Sequence, residues 1–557
     1  MTTATLTLPR LSSRAAAKSE RRPRRIHVEG FIVFVLALAF YLAAASYIVF
    51  HVHFMINDSL ARIDNAFNVL FTRDPHLAAI GFIWPPLPSF LELPIIAFKP
   101  LWPALVTQGF AGSIEAAAFS AGTVTLFNSG LRWSGVARPL RWSLCLILAV
   151  NPMTVLYAVQ GMSEAMLVFF FAASLLVFVR WCESRRPVLL ALLGVIAGLG
   201  CLTRMEMFAM SAALGVAIIV RSWRAKISWR EIETNTLLFG LPAFFVVMLW
   251  LGTMTIIMRS PLYFLNAVGS NAEQLAASAA GGTSYTWVSA AGFIGRHALL
   301  LFPAVVPVAA IVIVRLARSQ RRLNTLLLLA LGAPIVLFDT YLIHKHQLVG
   351  AMRYQIFVIP YTFVLVVFLL RGLRGRRWLI SWLSLSLVGL LGVSDIATTL
   401  VLSDRSISFQ EAPVMTALAN GQTMEQVTAA NPDFYVSYGG AAYGADIAQQ
   451  ILKLDKDHGL VACDSLDCFP IVLNVPDPHM FVVSSDRDFE AALGQPQVYH
   501  VEYFLVPNPA GADRLLTLYP GLYESGAGFA QLVGTAKSHT GGQDWRLYRI
   551  IGPTGRG

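Results

Sequence analysis

Charge is scarce in this chain. Asp, Glu, Lys and Arg make up only 13% of 557 residues, against 56% hydrophobic ones. That balance excludes an ordinary soluble globular protein, and several apolar windows of about 20 residues exceed what a soluble core needs. Acidic residues are the scarcer sign, 32 against 42 Lys+Arg, for a net charge of +10. The basic excess sits in short clusters between apolar runs, so it reads as topology and contact with anionic lipids. It does not read as a nucleic-acid surface. Cysteine is also rare, with five in all. Cys145, Cys182 and Cys201 fall in or beside apolar runs and read as core residues. Cys463 and Cys468 flank Asp464-Ser465-Leu466-Asp467. They read equally as a small disulfide loop facing an oxidising compartment or as two free thiols, and one pair at this spacing excludes a zinc site. Internal repeats are absent as well, which counts against the related halves usual in transporters.

What the chain does have is a series of about eleven apolar segments long enough to read as membrane spans. They run roughly over 30–50, 106–131, 139–160, 162–181, 187–203, 205–222, 235–258, 294–316, 324–344, 350–371 and 377–402. The basic start, Arg10 to Arg25, resembles the first part of a signal peptide. The apolar run Phe31 to Phe50 is too long for that reading, so it is expected to be an uncleaved first span. Basic clusters lie at 10–25, 132–141, 180–186, 221–230, 315–322 and 371–377. With the N-terminus in the cytoplasm, every cluster falls on the cytoplasmic side. The expected organisation is a basic cytoplasmic segment 1–29 and a transmembrane domain 30–403 with a first outer loop 51–105. An extracytoplasmic domain, 404–557, follows. Pro88 to Leu105 is expected to form short helices on the membrane surface, broken by prolines.

The tail alternates β-rich and helical runs. Strands are expected at Phe434–Tyr438, Gly459–Ala462, Phe469–Leu473, Met480–Ser484, His500–Val506 and Trp545–Ile550. Helices are expected at Gly444–Asp455, Asp488–Leu493 and Ala510–Leu518. The fold class is therefore a polytopic α-helical membrane protein with a small C-terminal extracytoplasmic α/β domain.

Polar residues at outer-face depth are the candidates for chemistry. Asn57-Asp58-Ser59 follows the first span, and Asp64 lies six residues after Asp58, too far round a helix to share its face. A carboxylate in this position can take a proton from an attacking hydroxyl, and loss of hydration at a semi-apolar interface would favour that uptake. The competing reading is that Asp58 only caps a helix starting at Ser59 or Leu60. Ser163-Glu164 lies at a sharp outer turn. It either presents a second acid to the same cavity or completes a helix N-terminus. In Leu202-Thr203-Arg204-Met205-Glu206, a cation and an anion interrupt about 35 apolar residues, and such groups are costly unless paired or functional. Arg204 either binds a phosphate or pairs with Glu206. Arg353-Tyr354 opens the tenth span after His344-Lys345-His346, which places Arg353, and less specifically Lys345, to meet a phosphate. Glu115, Asp339 and Asp395 are single acids within spans. No His and Cys spacing marks a transition-metal site.

Taken in order, these pieces resemble the GT-C superfamily of polyprenyl-phosphate-sugar-dependent integral membrane glycosyltransferases. The resemblance is carried by Asp58 in the first outer loop, Ser163-Glu164 at the fourth span, Leu202 to Glu206 between the fifth and sixth, and Arg353-Tyr354 before a span containing Pro360. It covers most of 30–402 and implies a glycosyltransferase acting outside the cytoplasm of the plasma membrane. Its partners would be a polyprenyl-phosphate sugar donor, a glycan, glycolipid or protein acceptor, and membrane lipids. By the same resemblance Asp58 would be the base, with Glu164 beside it. Arg353 and Arg204 would hold the phosphate, and Asp64, Glu206 and Lys345 would complete the substrate site. The family's first-loop acid can also bind a divalent cation (Mg, Mn or Ca). This chain has Asn57-Asp58 where paired acids would be expected, so Asp58 is the one candidate ligand and metal dependence stays open. The rival readings are a transporter or flippase for lipid-linked sugars and a non-catalytic partner in an envelope-building complex.

Overall fold

A computed structural model describes residues 28–266, 285–318, 322–348, 350–431, 440–454, 459–508, 513–539 and 543–554. The basic start, most of the 259–293 loop and the strand expected at Phe434–Tyr438 lie outside these residues.

Among the described residues, eight helices are long and apolar enough to cross a membrane, or ten if each of two bent pairs counts as one span. The chain is a multi-pass membrane protein. One pair, Arg138–Val150 and Pro152–Val159, bends by 60° at Asn151, whose side chain caps the second helix by accepting from the Thr154 N–H. The other, Trp287–Leu301 and Val305 onward, bends by 98° where Pro303 interrupts the run. The segments expected as spans at 139–160 and 294–316 correspond to these two bent pairs. The apolar segment expected at 187–203 is a shorter helix, Val188–Cys201. Pro88 to Leu105 forms the helix Leu87–Ile96, with Pro94 inside it, and the single turn Ala104–Thr107.

Burial divides the spans. Met352–Arg371 and Glu164–Ser184 are sheathed by other helices, whereas Trp229–Met258 and Arg377–Ser403 present most of their length outward. An exposed apolar helix face is stable only in lipid, so the outward faces of Trp229–Met258 mark the bilayer side.

The tail carries a five-stranded sheet: β1 Leu460–Cys463, β2 Phe481–Val483, β3 Val501–Pro507, β4 Ala530–Ala536 and β5 Trp545–Ile550. Their order is β2-β1-β3-β5-β4. The first three strands run parallel, and β5 pairs antiparallel with β3 and β4. Alternation along the strands makes two cores. Val461, Cys463, Phe481, Val483, Tyr503, Leu505, Trp545 and Leu547 join the core that continues into the helical bundle. Ala462, Val482, Phe504, Val506 and Tyr548 build a separate core on the other face. Two sequence expectations fail here. Phe469–Leu473 belongs to a helix, Ser465–Val472, because Asp464 caps it by accepting from the Leu466 N–H. Strand β4 was missed because its Gln531, Gly534 and Thr535 dilute the β signal. Cys463 and Cys468 form a disulfide across the first turn of that helix.

Candidate active site

The first outer loop enters the bundle through Gln160. Its Oε1 accepts from the Ile56 N–H at 3.0 Å, and its Nε2 donates to the Phe54 carbonyl at 3.4 Å. Helix Asn57–Leu70 starts on the next residue. Gly161 lets the backbones close here: a Cβ on it would meet Ser59 Oγ at 2.6 Å and the Gly112 backbone at 2.7 Å, and its φ is +65°. Asp58 thus lies in the first turn of a helix fixed to the Gln160 turn. The cap position is Ile56, with no side-chain cap bond, so Asp58 does not cap a helix at Ser59 or Leu60.

Instead, Asp58 Oδ2 accepts from Arg353 Nη2 at 3.0 Å. Arg353 Nε lies 3.8 Å from Glu164 Oε1, and that same oxygen accepts from Arg204 Nη1 at 2.6 Å. Arg204 also donates from Nη2 and Nε to Glu206 Oε1, at 2.6 and 3.0 Å. Both guanidiniums stack over the Tyr354 ring, at 5.3 and 5.2 Å. The structure therefore brings Asp58, Glu164, Arg204, Glu206 and Arg353 into one network with Glu164 at its centre. Glu164 and Glu206 each open a helix, where the dipole favours a negative charge. Burial alone would weaken Arg204's hold on its proton, but the carboxylates of Glu206 and Glu164 more than offset it and raise its pKa. The two readings of Arg204 merge, since it pairs with both glutamates.

Asp58 differs from its neighbours. Its side chain is 42% exposed, whereas Glu164 is fully buried and Arg353 is 9% exposed. The expectation of a carboxylate stripped of hydration does not hold, because Asp58 sits at the wet rim and is oriented by a guanidinium. Two expected participants stand apart. Asp64 is buried and accepts from Asn68 Nδ2 at 2.8 Å, one turn along its own helix. Burial pushes its carboxyl up to about 7, with the Asn68 bond pulling back. Lys345 follows the helix Ala333–His344, is exposed, and makes no ion pair among the described residues. Among the single acids within spans, Asp395 accepts from Asn151, while Asp339 is buried with neither oxygen bonded.

Three contributors escaped sequence reasoning. Arg62 lies one turn after Asp58, buried, with Nη2 donating to Ser163 Oγ at 3.3 Å and its guanidinium 5.0 Å from the Trp84 ring. Its i+4 spacing from Asp58 was the available signal. Glu92 lies buried close to Ser59 and Gly112. Burial pushes it up to about 8 although Arg62 pulls it back. The signal there was an acid inside an apolar helix. Glu411 accepts from Tyr157 Oη at 2.6 Å; it comes from the tail, with no nearby motif to mark it. The tail also grips the outer loop. Arg73 donates to Asp486 at 3.0 Å and to Asp488, and Arg487 Nε donates to Asp74 at 2.9 Å.

No group of three or more His, Cys, Asp or Glu among the described residues is arranged to hold a metal. Asp58, the one candidate ligand, faces guanidinium groups, so this donor set does not fit a divalent cation.

The overall fold is similar to that of solved structures. ArnT from Cupriavidus metallidurans bound to undecaprenyl phosphate aligns over 92% of this chain and 97% of that one, with TM-score 0.54 and 14% identity. Its apo state aligns over 93% and 98%, with TM-score 0.50 and 15% identity. The fold is GT-C. At such low identity the likeness is one of fold. Residues 142–250 also match the family described as dolichyl-phosphate-mannose-protein mannosyltransferase. No curated protein sequence matches the chain.

Proposed function

We propose that this chain is an inverting membrane glycosyltransferase, moving a sugar from a polyprenyl-phosphate carrier to a hydroxyl of an envelope glycan, glycolipid or protein on the extracytoplasmic face. The observation that carries the reading is the Asp58–Arg353 pair. A half-exposed carboxylate is held by a buried guanidinium whose Nε and Nη1 have no hydrogen-bond partner among the described residues. Arg62 has the same two atoms unbonded. A base and spare anion-binding donors thus lie side by side, which is what sugar transfer from a phosphate carrier requires.

In this mechanism the acceptor hydroxyl approaches Asp58 from the wet rim, and Asp58 takes its proton. The acceptor oxygen bonds to the anomeric carbon as the bond from that carbon to the carrier phosphate breaks. The leaving phosphate keeps the electron pair, and Arg353 and Arg62 stabilise its growing charge. Glu164 and Glu206 hold the guanidiniums in place and keep the buried cluster near neutrality before the carrier binds. No step is routed through a metal. The basic clusters between spans support the orientation, and the plasma membrane is the site that orientation implies. The family that matches residues 142–250 and the carrier bound to ArnT support a lipid-linked donor.

The test is reconstitution of the full chain in liposomes with synthetic polyprenyl-phosphate sugars, reading free polyprenyl phosphate by mass spectrometry and the anomeric configuration of the product by NMR. Carrier release with inverted configuration is the expected result. Movement of intact carrier across the bilayer without sugar transfer would replace this reading with a flippase.

A further inference from the structure

Three of the helices that bring residues to the Asp58 network have their far ends together. Phe110–Ser134, Glu164–Ser184 and Val358–Arg371 begin beside Gly112, at Glu164 and just after Arg353. They end near Trp133, Glu183 and Arg371, roughly 20–35 Å away by helical rise. Between these ends lies a cleft of about 340 Å³. Its walls include Trp133, Arg180, Glu183, Arg186, Val188 and Arg371.

Three arginines face one carboxylate there. Arg371 donates from Nη2 to Glu183 at 2.9 Å and from Nη1 to the Trp133 carbonyl at 3.0 Å, and it stacks on the Trp133 ring at 4.5 Å. It is thereby a fixed cationic floor. Arg180 and Arg186 are exposed, and neither pairs with a carboxylate among the described residues. Arg180 reaches over the outer part of Trp133, at 6.0 Å. Setting topology does not require cations to ring a cavity, whereas these surround a hole large enough for a phosphate ester. Val188 is 68% exposed beside them and begins the helix Val188–Cys201, so an apolar edge continues from the cationic floor. Bonded and unbonded guanidiniums, an interfacial tryptophan and an adjoining apolar edge together fit a lipid phosphate headgroup.

We infer that this cleft, at the opposite end of the bundle from Asp58, binds the phosphate of an anionic phospholipid of the adjacent leaflet. The site is independent of the transfer reaction.

The test uses the purified full chain with defined lipids and native mass spectrometry. Wild type should retain phosphatidylglycerol over phosphatidylcholine by about tenfold, the scale of one or two charge-assisted contacts. The exposed pair R180A/R186A should bring that ratio close to parity without lowering the melting midpoint. The second variant, Glu183→Gln, frees Arg371 and should raise retention of phosphatidylglycerol. Equal ratios in wild type and the double variant would overturn the proposal. So would parity in wild type combined with a rise in melting midpoint in millimolar inorganic phosphate that the double variant loses, because the ligand would then be free phosphate.

Discussion

At one end of the bundle buried Arg62 and Arg353 and the largely buried Arg204 lie among Asp58, Glu164 and Glu206; at the other, Arg371 bonds to Glu183 while Arg180 and Arg186 lie exposed around the same cleft. The difference follows from hydration. A guanidinium cut off from water needs an anion or a ring close by, so the buried end is charge-matched, with spare donors left on Arg62 and Arg353. A guanidinium at an open cleft keeps its water and tolerates a surplus of like charge. The matched end can then meet one added anion, the carrier phosphate, with those spare donors. The unmatched end can only attract.

The sharpest way to break this comparison is to remove the rim carboxylate. Asp58→Asn keeps the Arg353 contact in shape but cannot take a proton, so kcat should fall by about 10²–10⁴-fold, the usual share of general-base catalysis. KM for the carrier should change little. Steady-state transfer assays in liposomes measure both, and full activity in this variant would remove Asp58 from the mechanism.

Next comes a matched pair of substitutions, one at each end. Glu164→Gln leaves two buried guanidiniums without their shared anion and should cost about 3–5 kcal/mol of stability. Glu183→Gln leaves Arg371, 13% exposed, its Trp133 contacts, so a smaller loss of about 1–2 kcal/mol is expected. Thermal unfolding of the two purified variants in one detergent measures the contrast. Equal losses would show that hydration does not separate the two ends.

Much of this end-to-end difference was legible in the sequence, because charges stand out against apolar runs. Asp58, Glu164, Arg204, Glu206 and Arg353 were each visible as interruptions at outer-face depth, and the apolar segments followed from length and hydropathy. Their convergence was not legible, since it depends on Gly161 and Gly112 letting three backbones approach, and two glycines in a sequence carry no such message. Glu411 was hidden for a related reason: it arrives from a turn more than 240 residues beyond its partner Tyr157. Asp64 and Lys345 were drawn in by nearness in sequence, which a helix face and an exposed turn then undid. The bends at Asn151 and Pro303 show the same limit, as hydropathy reports length and not direction.

Asp64 sharpens the comparison from the other side, because it is a buried outer-loop acid with no guanidinium. Its carboxyl rises from an ordinary 3.8 to about 7 through burial. Between those values the folded chain holds a proton that the unfolded chain has released. Stability therefore declines as pH rises from about 4 towards 7 and levels off above the folded value. Asp64→Asn stays neutral throughout, so its melting midpoint should lose this part of the decline, with the largest gain over wild type at pH 8. Melting curves from pH 5 to pH 8 test it, and a constant offset between variant and wild type would mean that Asp64 is not the titrating group.

The smallest expected effects lie where the tail grips the outer loop, and they divide by the same rule. Arg73 is 24% exposed and bonds to Asp486, whose side chain is fully buried and whose carboxyl burial pushes up to about 6 while Arg73 pulls it back. Arg73→Ala leaves that carboxylate without its cation, so a loss of about 1–3 kcal/mol is expected, the scale of an orphaned buried acceptor. Arg487 also bonds across the same junction, to Asp74, but it is 71% exposed. Water replaces its bond, so Arg487→Ala should leave the melting midpoint unchanged. Salt supplies the control: raising ionic strength screens the exposed Arg487 pair and not the buried Asp486 contact, so the Arg73→Ala deficit should persist in high salt. A deficit that vanished with salt would place Arg73 with the open-end arginines.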